Sequence, residues 1–340
     1  MYADYKPGGQ RNAAQVLANG AWAVLACLAW TAVVGFSHAL TWPVLSAADS
    51  TATAAGAVLL AFLALQAVVA HFAACCGDTW ASELGSAFGP ARPRLVLPPF
   101  RTVPAGTNGA VSLVGSAASA AGGLLVGLVA AAAMLLVPFT PVNSASAVVA
   151  TVTASATNAC ATASEIMGAA LVSWCHALGL VAAPAGAAGA VSLTAARLPL
   201  ALACVATGLL AGTVGSVVDS IAGAVLQLSA VTKDGRVVDD RAAAVAVAAG
   251  APKAASVERV SGWHVLNNNQ VNVLSAFVVT VGAVLAWGLA IVSFSASASA
   301  SAPVFTAFES ISMFASAETV GAVVGVVAGA LVLVMVLLKD

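Results

Sequence analysis

Three carboxylates stand out in a 340-residue chain of which only 7% is charged. Asp78 and Glu83 lie in CCGDTWASELG (75–85), at the end of a long apolar run, and Asp219 lies inside another, within GSVVDSIAGAVLQ (215–227). A carboxylate about two turns inside a membrane-spanning helix costs roughly 3 kcal/mol on insertion scales, so it marks a ligand site or a buried partner. Gly215, Asp219, Gly223 and Gln227 are four apart and share one helical face, and the flanking glycines are expected to leave room around the carboxylate. Asp78 and Glu83 are five apart and would not share a face on a regular helix. A helix end that loosens at Gly77 or Gly85 would turn both inward; the alternative is a solvated helix terminus.

Other polar residues have the same character. Gly106-Thr107-Asn108-Gly109, in VPAGTNG (103–109), is either a backbone cradle for an anion before a helix or a tight turn with Asn108 near the cap. Arg92, Arg94 and Arg101 precede it, as phosphate ligands or as charges that set topology. Asn268, Asn269 and Asn272 open a later apolar run, and Ser220 and Gln227 accompany Asp219. Hard carboxylate oxygens suit Mg²⁺ while arginine and backbone N–H suit phosphate, so the set fits Mg²⁺-assisted phosphate chemistry. Walker A, HRD and DFG patterns are absent, which removes the soluble nucleotide-binding folds. His38, His71, His176 and His264 show no ligand spacing and are read as structural. The six cysteines lack CxxC spacing and are read as buried thiols.

The elements that must position these groups are membrane helices. The chain is 61% hydrophobic with mean hydropathy +1.01, and its net charge of −1 gives no electrostatic case for nucleic acid. Spans are expected at 13–36, 54–77, 110–137, 199–227, 268–294 and 318–338. With the N-terminus inside, eleven of the twelve lysines and arginines fall on the inner side and only Arg197 at an outer boundary. Making 165–183 a further span would expel the basic loop 228–267, so it is not counted. The expectation is therefore an all-α, polytopic helix bundle of about six spans, one membrane domain over 1–340, with both termini on the positive side. Residues 140–198 form an Ala/Ser/Thr-rich outer excursion, and the polar N-terminus does not read as a signal peptide. Stripes of small residues, Gly115/Ser119/Gly123/Gly127, Gly208/Gly212/Ser216/Ser220 and Gly321/Gly325/Gly329, read as helix-packing seams. On this topology all the polar motifs fall at one membrane face.

These motifs resemble an integral membrane family that includes plant phytyl-phosphate kinase and the animal group called transmembrane protein nineteen. The pattern is Asp78-Thr79-x-x-Ser82-Glu83-x-Gly85, then Val103-Pro104-x-Gly106-Thr107-x-Gly109. Ser216-x-x-Asp219-Ser220-x-x-Gly223-Ala224-x-x-Gln227 and Asn268-Asn269-x-Val271-Asn272 complete it, over about residues 5–139 and 199–290. GGQRN (8–12) and QVLANG (15–20) look closer to the animal group. Members of the family usually carry further apolar helices before GGQRN. The resemblance implies an enzyme that converts an isoprenoid monophosphate to the diphosphate with Mg²⁺ and a nucleoside triphosphate, CTP among wider relatives; the sequence does not name the organelle, and endomembrane and plastid envelope both stay open. The resemblance places Asp78, Glu83 and Asp219 at the metal. It places Arg92, Arg94 or Arg101 and the Gly106–Gly109 turn at phosphate, and Asn268, Asn269 and Asn272 at ribose, base or head group. The competing reading is a transporter or lipid-handling protein whose intramembrane polar groups bind a solute.

Overall fold

The computed structural model describes residues 13–34, 42–45, 52–90, 92–136, 139–142, 193–232, 235, 237–238 and 257–298. Apolar, alanine-rich sequence makes five long helices: α1 (Ala13–Val34), α2 (Ala52–Phe88), α3 (Leu113–Leu136), α4 (Leu193–Leu226) and α5 (Asn268–Ala298). Their interiors hold few charges, and four of them, α2 to α5, contain stretches long and apolar enough to cross a membrane. α1 is helical where a span is expected. The expected span 318–338 and the stripe Gly321/Gly325/Gly329 lie outside the described residues, as does most of the excursion 140–198.

α2 packs against all four other helices and forms the axis of the bundle. The first two small-residue seams face one another. A methyl group added at Gly208 would sit 2.6 Å from the carbonyl oxygen of Gly123, and one at Gly127 would sit 2.7 Å from that of Cys204. Without a water-driven hydrophobic effect inside lipid, such backbone approach and its dispersion contacts are what hold α3 to α4. Outward-facing residues such as Leu125, Leu128, Val129 and Leu210 are exposed, as a hydrocarbon surround requires. Away from the polar end, Val58, Phe62, Met134, Leu200, Cys204 and Ile291 form the largest apolar core.

A polar tie crosses this core. Thr207 Oγ1 donates to Gln66 Oε1 (2.6 Å), and Trp287 Nε1 donates to Thr207 Oγ1 (2.8 Å), joining α2, α4 and α5. Trp22 Nε1 donates to the carbonyl of Val273 (3.2 Å) and fastens α1 to α5. Arg197 donates to the carbonyl of Leu135, so the one basic residue assigned to the outer boundary covers a free carbonyl at the end of α3.

Two expectations about helix bounds are corrected. α2 does not loosen at Gly77 or Gly85: it runs on to Phe88, about 55 Å in all, and carries Asp78 and Glu83 on unbroken helix. α4 begins at Leu193, takes Pro199 into its interior and claims residues assigned to the excursion. The fold is the expected helix bundle, with a few short strands at its ends and in its loops. A parallel pair joins β1 (Trp42–Leu45) to β4 (Phe139–Val142), and a small hairpin joins β2 (Arg94–Leu95) to β3 (Ala110–Val111). In the basic loop, β5 (Ser229–Val231) lies between β6 (Val237–Val238) and β7 (Glu258–Ser261), both antiparallel to it. Among the described residues Cys27, Cys75, Cys76 and Cys204 are free thiols, but only Cys204 is buried.

The seam makes a contrast testable. Gly212→Ala would put a methyl 2.5 Å from the Gly123 Cα, whereas nothing lies within 4 Å of one at Gly288. Thermal unfolding in detergent should show Gly212→Ala losing several degrees and Gly288→Ala holding or gaining slightly, as helix propensity favours alanine by about 1 kcal/mol.

Candidate functional site

At the end of the bundle where α2 and α4 finish and α3 and α5 begin, the helices part around a cleft of about 560 Å³. Asp78 and Glu83 reach it from α2, Asp219, Ser220 and Gln227 from α4 and its end, and Asn268, Asn269 and Asn272 from α5. Gly106, Thr107, Asn108 and Gly109 form its floor on the segment before α3. Twelve of the fifteen residues singled out in the sequence therefore line one cavity. Asp78 is half-buried and Glu83 exposed, as their different faces on a continuous helix dictate.

The other three are Arg92, Arg94 and Arg101, and they do not line it. Arg94 sits on β2, beside the hairpin strand that carries Arg101, and Arg101 donates to the carbonyl of Val260 on β7. Leu95 and Val103, neighbours of these arginines, are buried with Ala224, and the exposed arginines face away from that small core.

Local sequence explains the frame. Gly106 and Gly109 have φ of 88° and 78°, which side chains larger than hydrogen rarely tolerate. Thr107 N–H and Oγ1 both donate to the carbonyl of Pro104, at 3.2 and 2.7 Å, and Ala110 N–H donates to Thr107 O at 3.1 Å. Asn108 N–H donates to Ser229 Oγ (2.9 Å). The segment is thus a tight turn in which the Thr107 and Asn108 amides are engaged within the protein. It does not lead directly into α3. Ser112 does, its Oγ accepting from Gly115 N–H at 3.1 Å. At the start of α5, Asn267 Oδ1 accepts from Gln270 N–H (3.0 Å) and Gln270 Oε1 from Asn267 N–H (2.9 Å), a reciprocal capping box. Gln270 is thereby consumed structurally, while its neighbours Asn268, Asn269 and Asn272 face the cleft.

The glycines beside Asp219 do not hold open space. A Cβ at Gly215 would meet Ala74 Cβ at 2.7 Å, and one at Gly223 would meet Gln227 Oε1 at 2.9 Å. They admit α2 and the 106–109 turn instead. Ser275 Oγ lies 3.0 Å from Asp219 Oδ1 and donates to it, sharing its proton with the carbonyl of Val271 at 2.8 Å. Ser275, Ser116, Ser216 and Asn19 also line the cavity. Sequence reasoning passed over Ser275 because a serine in an apolar helix ordinarily bonds its own backbone. His71 is buried, with Nε2 2.8 Å from the carbonyl of Asn19, a structural role as expected.

Among the described residues lining the cleft are three carboxylates and no lysine, arginine or histidine. Asp78 and Asp219 line the same cleft, and the charge of Asp219 acts on Asp78. Like charges in a partly dry site repel unless a proton or a cation lies between them. No group of three His, Cys, Asp or Glu side chains among the described residues is close enough to hold a metal alone. Mg²⁺ typically takes one or two protein carboxylates and fills its shell with water and substrate phosphate. The Asp78–Asp219 pair, with Glu83 nearby and no competing cation, fits that pattern.

The family model for Integral membrane protein DUF92 matches residues 2–176 and 172–280. The chain belongs to that family. It is a multi-pass membrane protein, as its apolar helices and the family description both have it. It is 38% identical over 126 residues to Protein PGR of Arabidopsis thaliana, a match covering 37% of this chain and 38% of that protein. The membrane family expected from the motifs is the one found. No solved structure matches.

Removing Gln270 from the capping box should loosen the asparagine platform without touching the cleft. Gln270→Ala should cost about 1 kcal/mol of local stability, seen as several-fold faster amide exchange over 268–272 with exchange in α3 unchanged.

Proposed function

We propose that the cleft transfers a phosphoryl group from a nucleoside triphosphate to an isoprenoid monophosphate, making the diphosphate, with Mg²⁺ bound at Asp78 and Asp219. The single observation that supports this most is the charge of the cleft. Among the described residues three carboxylates and no cation line it, so an anionic head group gains from entering in company with a divalent ion. Its position supports the class of acceptor, because it opens where the helices end and an apolar tail can remain in the hydrocarbon between them. The motif resemblance to phytyl-phosphate kinase supplies the reaction, and CTP is the donor we favour.

Magnesium, when bound, would draw off charge from the transferring phosphoryl oxygens. Asp78 and Asp219 would hold it, with Glu83 as a further or water-mediated donor. Ser275, by donating to one oxygen of Asp219, would leave the other for the ion. The amide groups of Asn268, Asn269 and Asn272 would hydrogen-bond the head groups, aligning the acceptor oxygen with the γ-phosphorus. That oxygen is already anionic, so no residue needs to act as a general base. A P–O bond to the γ-phosphorus forms, the bond to the β-phosphate oxygen breaks, and nucleoside diphosphate leaves. With no proton to move, catalysis reduces to placement and neutralisation.

A solute transporter is less well supported. Such proteins build midplane sites from broken helices, and α2 and α4 pass the cleft unbroken.

The test is direct. Full-length protein in detergent, given phytyl or geranylgeranyl monophosphate, Mg²⁺ and each nucleoside triphosphate in turn, should yield diphosphate and none with EDTA. Asp78→Asn and Asp219→Asn should each lower turnover by about 100-fold or more. Ser275→Ala should chiefly raise the Mg²⁺ concentration needed for half-maximal rate. Equal product from wild type and both Asp→Asn variants would overturn the residue roles. Bound substrate with no product under any nucleotide would overturn the kinase reading in favour of lipid carriage.

A further inference from the structure

The arginines excluded from the cleft lie together with aromatic residues on the bundle's outer rim. The hairpin carrying Arg94 and Arg101 is joined to β7 through the Arg101 bond to the Val260 carbonyl. The next residue, Arg259, places its guanidinium 4.2 Å above the ring of Trp263. Trp263 is nevertheless 63% exposed, and Val265 beside it is exposed as well. At the tip of the hairpin Phe100 is also exposed and holds φ at 56°, a left-handed conformation that a bulky side chain adopts only under constraint. The constraint comes from either side: Phe100 N–H donates to Leu97 O and Arg101 O accepts from Leu95 N–H, both at 2.9 Å. The hairpin therefore keeps an aromatic ring outward at a backbone cost.

The height of this patch along the bundle is fixed by its neighbours. Leu113, the first residue of α3, is 90% exposed and belongs in hydrocarbon or at its edge. Trp263 N–H donates to the carbonyl of Val225 and Val265 N–H to that of Leu226, so the turn 262–265 sits on the end of α4. Exposed tryptophan and arginine at the ends of spanning helices stand at head-group depth.

We propose that Arg94, Arg101 and Arg259, with Trp263 and Phe100, form a binding surface for the head groups of anionic phospholipids. Charge complementarity chooses this occupant: three exposed guanidiniums suit phosphodiester oxygens, and the two rings suit the interfacial layer. A soluble partner would have to bring its own apolar surface to cover the rings, whereas at head-group depth the bilayer already supplies one. The inference is independent of the reaction assigned to the cleft.

Two measurements test it on the full chain. In nanodiscs, the fluorescence of Trp263 is obtained as wild type minus Trp263→Phe. It should be quenched by brominated phosphatidylglycerol more than by brominated phosphatidylcholine, and little by aqueous iodide. Native mass spectrometry from mixed phosphatidylglycerol and phosphatidylcholine micelles should show the anionic lipid enriched on wild type. Single Arg94→Gln, Arg101→Gln and Arg259→Gln variants should each lose about fivefold of that enrichment. Normal thermal stability of the glutamine variants separates lost binding from lost fold. Trp263 quenched by iodide and not by brominated lipid would overturn the proposal and point to a soluble partner. Equal retention of both lipids by wild type would overturn it too.

Discussion

Gly77, Gly212 and Ser119 bring three backbones to one point, and the rest of the structure is arranged around it. A methyl at Gly77 would fall 2.8 Å from the Gly212 Cα and 2.9 Å from the Ser119 carbonyl, so α2, α3 and α4 touch there with no side chain between them. Asp78 follows Gly77 immediately, and Asp219 lies two turns beyond Gly212 toward the same end. The triple contact acts as a fulcrum. On one side the helices close over the apolar core of Phe62, Leu200 and Cys204, and on the other they spread to admit the cleft. Separation of the helices and proximity of the two carboxylates thus have one cause.

Much of this was legible because charge is scarce in a membrane protein. When few residues are ionised, a carboxylate inside an apolar run is conspicuous, and its membrane depth can be counted in turns. Asp78, Asp219 and the asparagines of α5 were placed together on that basis, and they line one cavity. The small-residue seams were legible for a similar reason, since glycine at intervals of four has few uses in lipid other than close approach. What stayed hidden depends on partners distant in sequence. The tight turn at Gly106–Gly109 is held by Ser229 on β5, and nothing near position 108 announces that bond. The Gln66–Thr207–Trp287 tie requires three helices at once. The arginines misled because one residue type serves both topology and phosphate binding, and only the position of Leu95 and Val103 in a small core shows which way the hairpin faces.

The two ends of the electrostatic scale are kept apart. Acids occupy the interior of the cleft, and Arg94, Arg101 and Arg259 occupy its outer surroundings. Had an arginine entered the cleft, it would have paired with Asp78 or Asp219 and occupied the place of an exchangeable cation. Segregation keeps the interior pair without a protein cation among the described residues that line the cleft, and the β5–β7 sheet, packed beneath the hairpin through Val260, holds the arginines outside it.

The Gln66–Thr207–Trp287 tie has a bearing on the asparagines some 19 positions away along α5, a separation of about 28 Å. In hydrocarbon a helix can spin about its own axis with little change in apolar contact, so greasy packing alone sets its azimuth poorly. An indole N–H anchored to a hydroxyl has no such freedom, because turning it away strands a donor where no water can answer. Rotational phase chosen deep in the membrane is transmitted along a stiff rod to its tip, where the Ser275–Asp219 bond holds the same phase, so the side of α5 that greets the polar chamber is set at both ends of the rod.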